Sequence, residues 1–198
     1  MNIVIVEDNA LTRRILELTL KREGGFESIE VFDSAEQALE KANWADTEIL
    51  LTDINLCVMS GVDLIKWVQQ NHPHIDSMAH TFQDSGDMVF STILAGASGY
   101  QVKGEKPYHL AEALVTMREG GIPISPSVAG KIIDLMLSED PDRGISFNSF
   151  SEVEKQILLM VRKGYSYQDI AYNMDLSIQC IHEHVRSVFA TIRNKIAC

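Results

Sequence analysis

The chain has 198 residues, 45% of them hydrophobic and 23% charged, the balance of a globular protein with room for one large core or two small ones. Its formal net charge of −11 argues at first against a nucleic-acid partner, because Lys and Arg contacts to phosphates supply most non-specific affinity. The acidity is local, however: residues 1–144 hold 11 of the 17 basic and 23 of the 28 acidic side chains, which leaves residues 145–198 slightly positive.

Three cysteines, Cys57, Cys180 and Cys198, lack CxxC spacing and point to reduced thiols in a cytoplasmic protein, not to a disulfide framework or a zinc site. The start has no basic region, and no stretch reaches the roughly 18 apolar residues of a membrane span, so no membrane partner is expected.

Ile3-Val4-Ile5-Val6 and Ile49-Leu50-Leu51 are short apolar runs that end in acids, the pattern of strands buried on both faces of a parallel sheet. Between them Leu11, Ile15 and Leu18 repeat at helical spacing up to Gly24-Gly25. A short strand follows at Ser28 to Phe32, and Ser34 with Gln37 forms a capping box before Ala38, Leu39 and Ala42. A third helix after Gly61 turns Leu64, Ile65 and Val68 inward. A polar fourth strand, Ile75 to His80, precedes a helix over Asp87 to Leu94. The fifth unit pairs Tyr100-Gln101-Val102 with a helix carrying Leu110, Ala113, Leu114 and Met117. Five β-α units predict an α/β fold, a doubly wound five-stranded parallel sheet whose crevice lies at the carboxyl ends of its strands.

Ser127 to Leu137 reads as one more helix, and residues 138–148, with Asp140-Pro141-Asp142-Arg143-Gly144, as a polar linker. A small all-α unit follows, with Val153, Ile157, Leu158 and Val161 on one face, a short helix around Ile170 to Met174, and a last helix from Ser177. The expected division is 1–121, 122–148 and 149–198.

Glu7-Asp8 closes the first strand and Asp53 the third, so three carboxylates converge on the crevice and require a cation. Hard oxygen ligands open to water suit Mg²⁺, shared with a phosphoryl group whose charge it offsets. In this arrangement Asp53 is the nucleophile that becomes an aspartyl phosphate, Asp8 the direct metal ligand and Glu7 the water-mediated one. Lys103, at the end of the fifth strand, places an ammonium against the same oxygens.

Glu7-Asp8, Asp53-Ile54-Asn55-Leu56 with Gly61, Gly96-Ala97-Ser98-Gly99-Tyr100, and Lys103 resemble the response-regulator receiver domains, over Met1 to about Gly120. The resemblance implies a flavodoxin-like receiver in which the backbone carbonyl of Asn55 completes the metal site and a sensor histidine kinase donates the phosphoryl group. Such a domain catalyses only its own phosphoryl transfer and dephosphorylation. It also implies a hydroxyl residue at the end of the fourth strand. His80 and Thr81 are adjacent candidates, and counting back from Gly96-Ala97 selects Thr81, with Tyr100 as the aromatic partner of the switch. Cys57 stands where this family usually has proline, and the fourth strand is unusually polar.

Ser166-Tyr167-Gln168-Asp169-Ile170-Ala171 and Met174-Asp175-Leu176-Ser177 fit a helix, a tight turn and a second helix, which Ser177 caps. With Ile181, Val185 and Val188 inward, the outward face holds Gln179, Cys180, His182, Glu183 and Arg186, suited to base edges and phosphates in a major groove. Phe150 to Lys195 resembles the NarL/LuxR-type DNA-binding domain, which usually has threonine at Cys180 and lysine at His182; Arg186, Arg193 and Lys195 supply cations. The two resemblances together imply a regulator that binds double-stranded DNA, as a homodimer when phosphorylated. The alternative is a signalling adaptor whose helical domain binds protein. A haloacid-dehalogenase-like phosphatase would need a second Asp where Asn55 stands.

Overall fold

The computed structural model describes residues 1–104, 107–137 and 147–194. Most of the expected polar linker, together with Lys195 and Cys198, lies outside the described residues. Five strands, β1 (Asn2–Val6), β2 (Ser28–Phe32), β3 (Ile49–Thr52), β4 (Asp76–Thr81) and β5 (Gly99–Val102), form a parallel sheet in the order β2-β1-β3-β4-β5. The chain runs outward from β1 to β2, then returns to the other side of β1 to lay down β3. The strand order therefore reverses between β1 and β3, the place where such sheets open a crevice.

The crossovers are α1 (Ala10–Glu23), α2 (Ala35–Lys41), α3 (Gly61–Asn71) and α4 (Gly86–Ala95), and α5 (Pro107–Arg118) follows β5. Side chains of Asn9, Ser34, Ser60 and Ser85 accept backbone N–H groups at the first four helix starts, satisfying donors that have no partner within the helix. On one side of the sheet Ile3, Ile5, Ile49, Leu51 and Met78 pack on Leu16 and Leu20 of α1 and Leu114 of α5. Leu11, Ile15 and Leu18 form a second stripe on α1 that faces outward, Leu11 at 71% exposure.

On the other side Val4, Val6, Leu50, Ala79 and Tyr100 begin a larger core that runs without a break into the C-terminal helices. After α5 the chain returns along the sheet edge: the Tyr100 N–H donates to the Pro123 carbonyl (3.0 Å), and Ser125 N–H donates back to the Tyr100 carbonyl (3.2 Å). Next comes α6 (Pro126–Leu137), which buries Val128, Ala129, Ile132, Ile133 and Met136 and packs on α4 and α7. The beginning of the expected linker, 122–137, is thus part of the core. A short 3-10 turn, Phe147–Ser149, leads into α7 (Glu152–Arg162), α8 (Tyr167–Met174) and α9 (Ile178–Asn194). Ser151 with Glu154 and Ser166 with Asp169 make reciprocal capping boxes, and Asp175 takes the left-handed conformation (φ 53°) in the turn before α9. None of the described helices is long and apolar enough to cross a membrane.

Candidate functional site

Strand register brings the acids together. Val6 pairs with Thr52, so Glu7 and Asp53 leave adjacent strands side by side, and Asp53 N–H donates to the Val6 carbonyl (2.9 Å). Thr81 pairs with Val102, which delivers Lys103 next to them; its N–H donates to the Thr81 carbonyl (2.7 Å). One carboxylate oxygen from each of Glu7, Asp8 and Asp53 lies within 4.8 Å of the others, a hard-oxygen set that fits Mg²⁺. Glu7 and Asp53 are buried, whereas Asp8 is exposed at the mouth.

The Lys103 ammonium bridges the two buried acids, with 2.6 Å to Glu7 Oε2 and a short contact to Asp53 Oδ2. Burial pushes the Glu7 carboxyl above its usual range despite the Lys103 hydrogen bond. Burial acts on Asp53 in the same sense. There it is outweighed by hydrogen bonds from Lys103, from the Asn55 N–H and from Thr81, so Asp53 lies below the usual range and is ionised at neutral pH. An ionised, hydrogen-bonded carboxylate at a strand end is a competent nucleophile toward phosphorus.

The Asn55 N–H donates to Asp53 Oδ1 (3.1 Å), which folds the loop after β3 over the acid. Gly61 closes that loop: a Cβ there would lie 1.9 Å from the Asp53 carbonyl oxygen, so only glycine allows α3 to start so close. Cys57 is exposed in the same loop, and its thiol donates to Asp8 Oδ2 (3.5 Å). Thr81, the last residue of β4, is fully buried and directed at Asp53, and its Oγ1 accepts the Gln83 N–H (3.3 Å). His80, its neighbour, belongs to the opposite side of the sheet. Tyr100 is buried in β5, and its hydroxyl donates to the Gln83 carbonyl (2.6 Å), in the loop that Thr81 begins.

In the C-terminal unit α8, its left-handed turn and α9 form a helix-turn-helix, and α9 lies against the sheet domain. Gln179, Glu183 and Arg186 are exposed, and Cys180 is half-buried. His182, expected on the outward face, is instead buried at 2% exposure. It stands beside Ile181 at the margin of the α9 apolar stripe, and that margin meets a second surface: a Cβ at Gly121 would lie 2.8 Å from His182 Cδ2. Arg193, expected as a cation for DNA, reaches the other way. Its guanidinium donates to the Ile93 carbonyl (3.1 Å) and the Ala97 carbonyl (2.6 Å) at the end of α4. Tyr167 was not singled out in the sequence, yet its hydroxyl donates to the Ile122 carbonyl (2.5 Å), fastening α8 to the segment before α6. No local pattern marks such contacts, because their partners are some 45 to 100 residues distant.

Strand-end acids, a bridging lysine, a buried threonine and an appended helix-turn-helix define a phosphoacceptor module coupled to a DNA-binding one. Residues 3–115 match the response regulator receiver domain and residues 148–195 match the luxR family of bacterial regulatory proteins; the chain belongs to the response-regulator family, with a receiver and a LuxR-type helix-turn-helix. Among its relatives, the nitrate/nitrite response regulator NarP of Escherichia coli is 28% identical over 200 residues, covering 98% of this chain and 91% of that protein. DegU of Brevibacillus brevis is 26% identical, covering 95% and 86%. In fold the chain is similar to the RcsB response regulator of Salmonella typhimurium, with a TM-score of 0.63 at 18% identity over 100% of this chain and 98% of that one. A LuxR-family response regulator from Aurantimonas sp. SI85-9A1 gives a TM-score of 0.64 at 21% identity over 69% and 98%.

Proposed function

We propose that Asp53 accepts a phosphoryl group from a sensor histidine kinase and that this phosphorylation frees the C-terminal helix-turn-helix to bind double-stranded DNA as a homodimer. The observation that carries the reading is the docking of α9 on the same domain that holds Asp53, with His182 buried and Arg193 hydrogen-bonded to the carbonyls of Ile93 in α4 and Ala97 just after it. Held there, α9 turns His182 and Arg193 toward the receiver, so only part of its candidate DNA-facing set, Gln179, Glu183 and Arg186, is exposed to a major groove.

Asp8, Asp53 and the Asn55 carbonyl, with Glu7 through water, would hold Mg²⁺, which would offset charge on the transferring group. Asp53 attacks phosphorus as the donor's histidine nitrogen departs, and Lys103 receives the phosphoryl oxygens as a point charge. Thr81 turns its hydroxyl to the new group. Gln83 and Tyr100 follow, because the Thr81 oxygen accepts the Gln83 N–H and the Gln83 carbonyl accepts the Tyr100 hydroxyl. Tyr100 also exchanges backbone hydrogen bonds with Pro123 and Ser125, the residues that lead into α6 and its packing on α7.

The exposed Leu11, Ile15 and Leu18 stripe on α1, beside the acids, supports docking of a helical donor protein. We assign 1–121 to the receiver, 122–148 to the connection and 149–198 to the DNA-binding module of a cytoplasmic regulator. Gln179, Cys180, His182, Glu183, Arg186, Arg193 and Lys195 are the candidate DNA contacts. RcsB, whose fold is similar, has been solved in complex with DNA.

The test is selection from random duplex DNA with the full chain, with and without beryllofluoride as a phosphoryl mimic. Enrichment of one motif with the mimic, lost in Asp53→Asn, is expected. Enrichment that is indifferent to both would overturn the gating, and no enriched motif at all would overturn the DNA reading.

A further inference from the structure

The contact between α9 and the receiver contains an ionisable group placed where only its neutral form fits. His182 is 2% exposed, and its Nδ1 is buried without a hydrogen-bond partner among the described residues. Its ring sits edge-on to Tyr167, with centroids 5.7 Å apart, and its Nε2 is near enough to Gly121 that a Cβ there would lie 2.9 Å away. A neutral imidazole tolerates this pocket by leaving Nδ1 unprotonated. An imidazolium must donate from both nitrogens, and a buried N–H without an acceptor, on a charged ring, costs more than the neutral ring does.

The ionisable groups that face the ring are Glu119 at the end of α5, Tyr167 of α8 and Arg186 of its own helix. Burial lowers the imidazole's proton affinity and Arg186 lowers it further, while Glu119 acts in the opposite sense without cancelling them. Arg186 reaches across the same contact, since a Cβ at Gly120 would lie 3.2 Å from its Nη2. Opening the contact returns His182 to water, where its proton affinity is ordinary for a histidine and titrates near neutrality.

We propose that protonation of His182 releases α9 from the receiver, so that acidification exposes the DNA-reading helix without phosphorylation and adds a cation to the face that meets DNA phosphates. The proposal rests on the reading that α9 is held in check by this docking, and it adds a second input to it. Protons bind more tightly to the open arrangement than to the closed one, so lowering the pH shifts the population toward the open one. The opening equilibrium rises about tenfold for each unit by which the histidine's pKa differs between the two arrangements. A released His182 also raises the number of phosphate contacts by one, which steepens the salt dependence of DNA binding by roughly one unit of logarithmic slope.

The experiment uses the full unphosphorylated chain, titrated from about pH 7.5 to about pH 5.5 across the histidine range. Ring resonances of His182 are followed by NMR and molecular dimensions by small-angle scattering, in the native protein, His182→Gln and His182→Lys. Expansion of the native chain that tracks the His182 titration, a Gln variant that stays compact throughout, and a Lys variant already expanded at neutral pH are expected. Parallel expansion of the native and Gln proteins would overturn the proposal, as would titration of His182 with no change in dimensions. DNA binding, measured alongside, separates the two readings: expansion at acid pH with no affinity for any duplex sustains the proton gate and removes the DNA reading instead.

Discussion

At the residue scale the site depends on two polar groups held in low-dielectric surroundings. Glu7 and Asp53 share one ammonium, and Asp53 is held further by the Asn55 N–H and Thr81. His80, one residue before Thr81, has no such partner: its Nδ1 is buried and unpaired among the described residues. Burial, aided by the charge of Lys103, lowers its pKa from 6.5 to about 4. The sign follows from proton counting. Below pH 6.5 the unfolded chain binds a proton at this site that the folded chain refuses, so stability is fully present above pH 6.5 and falls as the pH drops toward 4. The loss amounts to about 3 kcal/mol across that window. Denaturant unfolding at a series of pH values should give His80→Gln a shallower acid decline than the native protein; equal slopes would show that the proton binds elsewhere.

At the element scale, α9 serves two surfaces at once. Ile181, Val185, Val188 and Ile192 close the core of its own module, while Arg193 holds the carbonyls of Ile93 and Ala97. Hydrogen bonds from a charged donor contribute roughly 1.5–3 kcal/mol each, so losing both in Arg193→Ala should raise the opening equilibrium by about a hundred- to ten-thousandfold. A larger radius of gyration in the unphosphorylated variant is the expected reading; unchanged dimensions would mean the latch lies in the apolar packing of α6 and α7.

These elements also mark where sequence is legible. Ile3 to Val6 and Ile49 to Leu51 announce themselves because a strand covered on both faces must be apolar throughout, and the acids that end them fall at the strand tips by the same logic. Leu11, Ile15 and Leu18 mark the helix but not its buried side, because α1 carries two stripes at helical spacing and it is Leu16 and Leu20 that meet the sheet. His182 misleads for another reason. Periodicity in α9 reports the core of its own module and carries no trace of a second domain laid against the opposite margin. The same holds for Pro123 to Ser125, which read as connector yet extend the sheet edge through Tyr100.

At the scale of the whole molecule, the larger core passes from β1 and β3 through α4 and α6 into α7 and α9 without a solvent gap. Burial of a side chain such as Ile132 or Ile133 contributes about 1.5–3 kcal/mol, so the closed arrangement rests on several such residues and a few directed hydrogen bonds. On the proposed reading, a charge change at Asp53 or His182 shifts the balance between this contact and the released arrangement.

The bonds that Arg193 makes to the end of α4 have an implication for the order of events. A guanidinium engaged with receiver carbonyls is unavailable to a phosphate backbone, so, if Arg193 contacts DNA as proposed, the receiver and the duplex compete for one hand. Linkage then works in both directions: whatever factor the phosphoryl mimic adds to duplex affinity, the duplex must add to affinity for the mimic. Titrating beryllofluoride into the full chain with and without its selected duplex should reveal that equal factor. Under the proposed gating, the duplex thereby becomes an effector of the signalling site, and a regulator seated on its target binds the phosphoryl mimic more tightly than one adrift in the cell.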